Sequence, residues 1–573
     1  MSASSPAWTI VAGREHDRIV LLEVTSDGTE LRRRTARRDE LPAVIRAVEA
    51  RAQAGHRWVW NDTPRWYPAL LNAGVDVARC HDLRLCHAIL RSSALVSDPA
   101  DLRGATAWTA AAGDDSADDA LFALEERAGV PDDPAEVRAE FARQQAAVQA
   151  ATDPDRLRLL LAAESAGALI AAELHAAGLP WDSAVHDRLL TDVLGDRPSG
   201  GGLPSLLQAR ADEVRRALGD PQASLDSQPK LLRSLHRAGV AARSTSRWEL
   251  AEFDHPVIAP LLAYKKLMRL LSANGWAWLA EWAPHGRFRP VYVPGGVVTG
   301  RWASSGGGAL QLPRQLRPAV RADPGWVLVV ADVAQLEPRV LAAMSRDIAL
   351  ADAARGTDLY EGIVAGGVVS TRQEAKIAVL GAMYGATTGD SGRLVPALRR
   401  AYPRAMSLVD DAARVGEDGG IVSTWLGRSS PPPSSAWQAL QARASDADAV
   451  SGDDTAARRA ARDRGRFTRN FVVQGTAAEW ALAWLADLRG RLAALPAIEG
   501  EPAATRSGPL FSRRAHLAFF LHDEIIVHAP AAQAEAVAAA VRASAERATT
   551  LLFGGFPLDF PLDLRIADDA GKG

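Results

Sequence analysis

The stretch whose reading decides the fold is Trp326-Val327-Leu328-Val329-Val330-Ala331-Asp332-Val333-Ala334-Gln335-Leu336-Glu337-Pro338-Arg339. An apolar run that stops at an acid reads as a buried strand presenting a carboxylate at its end. A helix is expected directly after it, and Pro338 is tolerated there because the N–H groups of the first helical turn have no intrahelical hydrogen bond to lose. A second stretch follows the same logic. Phe519-Phe520-Leu521-His522-Asp523-Glu524-Ile525-Ile526-Val527 belongs to an apolar segment, His516–Val527, that reads as a short hairpin with acids at its tip. Carboxylates beside such strands are costly to bury unless a cation compensates. Two strand ends of one sheet can hold Asp332 and Asp523 close enough to share divalent metal, and oxygen ligands completed by phosphate suit Mg²⁺. A pair of such ions activates an attacking hydroxyl and stabilises a leaving phosphate oxygen. A single strand-terminal acid more often just ends a strand or caps a turn, so the intervening sequence has to decide.

Between the two acids, Thr371-Arg372-Gln373-Glu374 has capping-box spacing and predicts a helix starting at Thr371. Arg372, Lys376, Leu380 and Tyr384 then recur every four residues. They drift about 40° and rise about 6 Å per step, so all four share one face. Gly385 is placed to end that helix. Two cations and a ring on one face suit a nucleoside triphosphate laid along a helix. A solvated basic face is the plainer alternative. A second helix repeats the spacing with Arg466, Asn470 and Gln474, ahead of Gly475-Thr476-Ala477-Ala478-Glu479, and Arg458, Arg459, Arg462, Arg464 and Arg469 make its flank strongly basic.

Outward from this centre, the 573 residues are 47% hydrophobic and 24% charged, which excludes a disordered chain and leaves room for three or four domains. No stretch has the roughly 18 uncharged apolar residues of a membrane helix. The start, Met1-Ser2-Ala3-Ser4-Ser5-Pro6, has no secretory pattern, and two cysteines, Cys80 and Cys86, exclude a disulfide scaffold. The basic residues are 61 Arg and 5 Lys, and the net charge of −3 lacks the whole-chain mark of a nucleic-acid binder. Residues 1–95 read as a small α/β unit with strands at Trp8–Ala12, Ile19–Val24 and Trp58–Trp60 and a helix at Leu41–Ala52. Asp98–Pro134 reads as a linker. Residues 135–290 are dominated by amphipathic helices, among them Arg156–Ala177 and His255–Trp282, and Pro431–Asp454 reads as an exposed loop. One helix burying both cysteines is expected, in preference to a zinc site built from Cys80-His81 and Cys86-His87.

Four of these elements, in this order, resemble the family A DNA polymerases. Asp332-Val333-Ala334-Gln335-Leu336-Glu337-Pro338-Arg339 is similar to the first palm motif, Asp-Tyr-Ser-Gln-Ile-Glu-Leu-Arg. Arg372 to Gly385 resembles the fingers motif, Gln474-Gly475-Thr476-Ala477-Ala478 the family's Gln-Gly-Thr-Ala-Ala, and His522-Asp523-Glu524 its last palm motif. Thr299-Gly300-Arg301, Gln311-Leu312-Pro313-Arg314 and Glu173–Leu179 add weaker matches, and the resemblance runs from about residue 155 to 565.

The resemblance implies an α/β multidomain chain: a right-hand polymerase of palm, fingers and thumb, preceded by a ribonuclease H-like exonuclease-type domain. The implied segments are 1–150 for that first domain, 151–325 for a helical thumb and thumb–palm junction, and 326–573 for the palm with fingers inserted at about 351–465. Asp332 and Asp523 would bind two Mg²⁺ ions, with Mn²⁺ able to substitute, aided by Val333 through its backbone and by Glu524. Arg372 and Lys376 would hold the phosphates, with Lys376 the proton donor to pyrophosphate. Gln335, Leu380 and Tyr384 would line the nucleotide site, and Glu337 would fill the space of a ribose 2′-hydroxyl. Arg301, Arg466, Asn470, Gln474 and His522 would contact DNA. The implied partners are primer-template DNA and deoxynucleoside triphosphates. The implied enzyme is a cytoplasmic, nucleoid-associated monomer without a membrane anchor or 5′-nuclease, acting in replication, repair or gap filling.

The chain departs from the family in places. Leu380 stands where the family has Phe or Tyr, Val333 replaces a tyrosine, Tyr360 sits where histidine is common, and the segment from Asp358 to Arg372 is short. The exonuclease signature is degenerate. Neither early strand carries Asp-x-Glu, no tyrosine lies between Tyr67 and Tyr264, and only Asn61-Asp62 and Cys80-His81-Asp82-Leu83 faintly resemble later segments. Proofreading is therefore expected to be absent. Two alternatives remain at this level: a DNA-binding scaffold with little catalysis, which the paired acids disfavour, and a single-subunit RNA polymerase relative, which Glu337 disfavours.

Overall fold

The computed structural model describes residues 6–14, 17–51, 55–109, 129–356, 358–386, 389–446, 451–500 and 502–571. The 110–128 part of the expected linker lies outside them. Contacts gather the chain into two compact units. The larger comprises 1–177, 291–305 and 324–566, and the smaller comprises 178–290, 306–323 and 567–573.

In the larger unit, five strands, β1 (Trp8–Arg14), β2 (Arg18–Val24), β3 (Glu30–Arg37), β4 (Arg57–Trp60) and β5 (Cys80–Asp82), form a mixed sheet of order β3-β2-β1-β4-β5. β1, β2 and β3 are antiparallel neighbours, while β4 joins β1, and β5 joins β4, in parallel. β3 escapes a hydropathy reading because it is an arginine-rich edge strand, a composition that discourages pairing with other chains. β5 escapes it because it is three residues long. Cys80 therefore lies on a strand and only Cys86 on a helix, Leu83–Leu90, which corrects the single-helix expectation. Both thiols are buried, and among the described residues no cluster of three or more His, Cys, Asp or Glu side chains is arranged for a metal.

Helix α1 (Pro154–Ala177) follows, and then the second sheet begins. Its strands are β6 (Trp326–Val333), β7 (His516–Leu521), β8 (Glu524–Pro530) and β9 (Leu562–Ala567), in the order β7-β8-β6-β9. Between β6 and β7 run α2 (Leu336–Ser345), α3 (Leu359–Ala365), α4 (Arg372–Tyr384) and the 43-residue α5 (Ser451–Ala493). The expected loop at 431–454 instead contains a helix, Ser435–Ala444, N-capped by the Ser434 hydroxyl. It buries no residue, so it has no apolar period for a sequence reading to find.

Arg339, in the first turns of α2, is completely buried and donates to the carbonyls of Ala334, Ala354, Gly356 and Asp559. One guanidinium thus ties the end of β6 to two later segments, at 354–356 and at Asp559, and burial pulls its pKa down to about 10. The smaller unit is helical around a core that includes Leu207, Val214, Leu235, Leu261 and Tyr264. Its long helix divides into Ile258–Asn274 and Trp276–Trp282 at Gly275, where the backbone is extended and only glycine fits, since a Cβ there would come within 2.2 Å of the Leu271 carbonyl oxygen. No described helix is long and apolar enough to cross a membrane.

Candidate active site

Antiparallel pairing of β6 with β8 sets Asp332 opposite Glu524, and the Val333 N–H donates to the Asp523 carbonyl at 2.9 Å. The hairpin turns at His522, whose φ of +57° lies in the left-handed region, so that Asp523 follows at once. Burial, then the charge of Asp332, push the Asp523 carboxyl up to about 6. A carboxyl raised by burial and by a second carboxylate beside it belongs to the kind of donor set a hard divalent cation satisfies. Two side chains cannot complete such a shell, so water or phosphate oxygens would supply the rest. Glu524, opposite Asp332 in the ladder, is itself buried.

An open cleft of about 250 Å³ lies over this sheet end, and Arg301, Gln335, Glu337, Tyr384, His522 and Asp523 are on its wall. Glu337 is held from two sides: the Tyr384 hydroxyl donates to it at 2.7 Å and Arg301 forms an ion pair with it. His522 is pulled down by burial and by the positive charge of Arg301, so its ring is neutral near pH 7. Gln335 has a structural duty besides facing the cleft. With φ at +49° it precedes α2, and its side-chain oxygen accepts from the Leu359 N–H.

α4 forms as its sequence dictates. Thr371 and Glu374 make a reciprocal capping box, and Gly385 closes the helix at φ +72°. Ala375, Ala378, Val379 and Ala382 are buried, which turns Arg372, Lys376 and Tyr384 outward, with Leu380 half-buried between them. Arg372 is engaged by Asp358, at 2.7 Å, and lies over the Tyr360 ring. Asp358 also N-caps α3. Arg372, Lys376 and Leu380 are not among the residues walling the cleft, and neither are Arg466, Asn470 and Gln474.

Arg466, Asn470 and Gln474 lie on α5, and Arg466 packs so closely on Gly385 that a Cβ there would come within 2.9 Å of its Cγ. The basic flank of α5 is only partly a surface. Arg464 donates to the carbonyls of Gly420 and Pro431, and Arg469 donates to the Ala382 carbonyl and pairs with Asp410. Sequence reasoning missed a polar cluster beneath α5. Thr476 accepts from the Trp425 N–H at 3.0 Å, Glu479 accepts from the Leu426 N–H at 2.9 Å and from the Thr424 hydroxyl, and Arg428 pairs with Glu164. No local pattern marks these partners, which lie 51 to 264 residues apart.

The family model for DNA polymerase family A matches residues 224–568. The chain belongs to DNA polymerase family A. This family A chain is 27% identical over 394 residues to the thermostable DNA polymerase I of Thermus thermophilus, an alignment covering 62% of the chain and 42% of that protein. It is 28% identical over 345 residues to DNA polymerase I of Chloroflexus aurantiacus, covering 56% of the chain and 33% of that protein. The chain thus spans about two fifths or less of the curated relatives it matches. Among solved structures it is similar to the POL domain of Pol1 from M. smegmatis, a complex with DNA primer-template and dNTP. The TM-score is 0.67 at 17% identity, over 98% of this chain and 95% of that one, a likeness of fold.

Proposed function

We propose that the chain is a template-directed DNA polymerase that adds deoxynucleotides to a primer 3′-hydroxyl. The observation that carries the reading is the placing of Asp332 and Asp523 at adjoining strand ends, beside a cleft whose wall includes a doubly held Glu337. Asp332 and Asp523, with the Val333 carbonyl, would hold two divalent ions, Mg²⁺ or Mn²⁺. When bound, such ions favour ionisation of the 3′-hydroxyl and offset charge on the departing pyrophosphate. Arg372 and Lys376 bind the triphosphate, and the Lys376 ammonium gives a proton to the leaving oxygen. Arg372 must exchange Asp358 for phosphate to do so. Glu337 occupies the volume that a ribose 2′-hydroxyl would need. Arg301, Arg466, Asn470, Gln474 and the neutral His522 contact template and primer. The enzyme acts as a cytoplasmic monomer in repair or gap filling.

The first domain is proposed to have lost proofreading. Its two candidate acids are already committed: Asp82 accepts from the Thr63 N–H and hydroxyl and from the Leu85 N–H, and Asp62 pairs with Arg84 at 2.9 Å. Primer extension by the wild type, lost in Asp523→Ala, tests the main reading. A wild type that binds primer-template but extends with neither deoxynucleotides nor ribonucleotides would leave the scaffold reading in its place.

A further inference from the structure

The segment that presents Arg301 to Glu337 is a short loop with a glycine near each end, and each glycine rests on one partner of a buried ion pair. Gly295 has φ +61°, and a Cβ there would come within 2.6 Å of Glu164 Oε1. Gly300 has φ +85°, and a Cβ there would come within 2.5 Å of Arg428 Nε. Glu164 and Arg428 meet each other at 2.7 Å, with side chains only 1% and 12% exposed. Between the glycines the backbone closes on itself, the Gly300 N–H bonding to the Val297 carbonyl and the Val297 N–H to the Arg301 carbonyl. The loop is therefore a compact turn seated on an ion pair, with no side chain of its own at the two points of contact.

The far side of the pair is equally fixed. Arg428 closes a tight turn with Thr424, each bonding to the other at 2.9 Å. Gly475 of α5 approaches so closely that a Cβ would meet both Thr424 Cγ2, at 2.4 Å, and the Thr299 carbonyl, at 3.1 Å. From the first domain, the Ser93 hydroxyl donates to the Gly427 carbonyl at 2.7 Å. Packed interiors of this kind transmit a displacement instead of absorbing it.

We infer that Glu164 and Arg428 are positioning residues for sugar selection: they seat the 295–301 loop so that Arg301 holds Glu337 in the volume of a 2′-hydroxyl. This rests on the polymerase reading above and on Glu337 as the residue that excludes ribose. Neither residue walls the cleft, so both act through Arg301. Loosening the pair lets Arg301 and Glu337 shift. That admits ribonucleotides while deoxynucleotides still bind, so the two substrates respond unequally. General weakening of the fold would slow both alike.

The test measures kcat/KM for a deoxynucleotide and its matching ribonucleotide on one primer-template, using the full chain with Mg²⁺. The proteins are the wild type, Glu337→Ala, Glu164→Gln, Arg428→Ala and Arg428→Lys. Discrimination is expected to fall at least tenfold in Glu164→Gln and Arg428→Ala, and to return in part in Arg428→Lys, whose ammonium still meets Glu164. Unchanged discrimination in both pair variants, beside relaxed discrimination in Glu337→Ala, overturns the positioning role and leaves that of Glu337 standing. Unchanged discrimination in Glu337→Ala overturns both, and a wild type that extends no primer overturns the polymerase reading and this inference with it. Should Arg428→Ala not fold, Glu164→Gln decides alone because the amide keeps the volume and an acceptor, and discrimination within twofold of wild type is then the overturning result.

Discussion

The Tyr384 hydroxyl donates a 2.7 Å hydrogen bond to Glu337 Oε2, joining the last turn of α4 to the first turn of α2 across the cleft. The bond ends on a carboxylate, but Tyr384 is partly exposed to water, so a net contribution of about 0.7–2 kcal/mol is expected, at or below the range of buried charge-assisted bonds. Tyr384→Phe keeps the ring and removes the bond, leaving Glu337 to Arg301 alone. Selection against ribonucleotides should fall about 3- to 30-fold, read as the ratio of kcat/KM values, with little change in melting temperature. Unaltered selection would show that the bond does not hold the carboxylate in its excluding position.

Leu380 shares the outward face of α4 with Arg372, Lys376 and Tyr384, and it carries no ring. Leu380→Phe is expected to tighten nucleotide binding through added apolar and stacking contact, worth about 0.5–1.5 kcal/mol. KM for deoxynucleotides should fall several-fold, and the preference between deoxy- and dideoxynucleotides should shift. Single-nucleotide kinetics with both substrates check this, and dideoxynucleotide kinetics identical to wild type would count against it.

What the sequence disclosed and what it hid divide along physical lines. Asp332, Asp523 and the limits of α4 were legible because each rests on a local pattern: an apolar run that ends at an acid, a capping box, or a glycine at a helix end. The helix at Ser435–Ala444 was not, because it buries nothing, and β3 was not, because it is rich in arginine and buries no residue fully. Glu164, Arg428 and Glu479 were invisible as a set, since a buried polar cluster assembled from three distant segments leaves no spacing to read. The basic flank of α5 read as a uniform surface, but Arg464 and Arg469 spend their donors on the carbonyls of neighbouring segments.

Proofreading gives a separable prediction. Asp82 accepts three hydrogen bonds and Asp62 is held by Arg84, so neither of the two candidate acids is free for a nuclease metal. A mismatched primer 3′ end should persist with Mg²⁺ and no nucleotides, in the wild type and in Asp332→Ala alike. Degradation that survives Asp332→Ala would prove an active nuclease in the first domain.

Arg339 predicts a stability effect without a direct chemical one. Arg339→Met keeps much of the apolar stem but removes the donors to four backbone carbonyls. Buried acceptors left unpaired cost about 1–3 kcal/mol each before relaxation, so a net loss of about 3–5 kcal/mol is expected in urea or thermal unfolding. A loss below about 1 kcal/mol would mean that water replaces the guanidinium easily.

Glu479 carries a pH signature. Burial, partly offset by the Thr424 hydroxyl and the Leu426 N–H, raises its carboxyl from 4.5 to about 7. Between those values the folded chain keeps a proton that the unfolded chain releases, so the folded state binds more protons and stability falls as pH rises. Below about 4.5 both states are protonated and the penalty vanishes; above about 7 both are ionised and it is complete, of order 1–3 kcal/mol. Glu479→Gln stays neutral throughout and keeps an acceptor for the Leu426 N–H. The variant should therefore gain on the wild type steadily from pH 4.5 to 7 and hold that margin at higher pH, as followed by urea unfolding at fixed ionic strength. Parallel pH profiles for the two proteins would show that the Glu479 carboxylate is ionised in the fold across that range, with Arg428 and its two donors offsetting the full cost of burial.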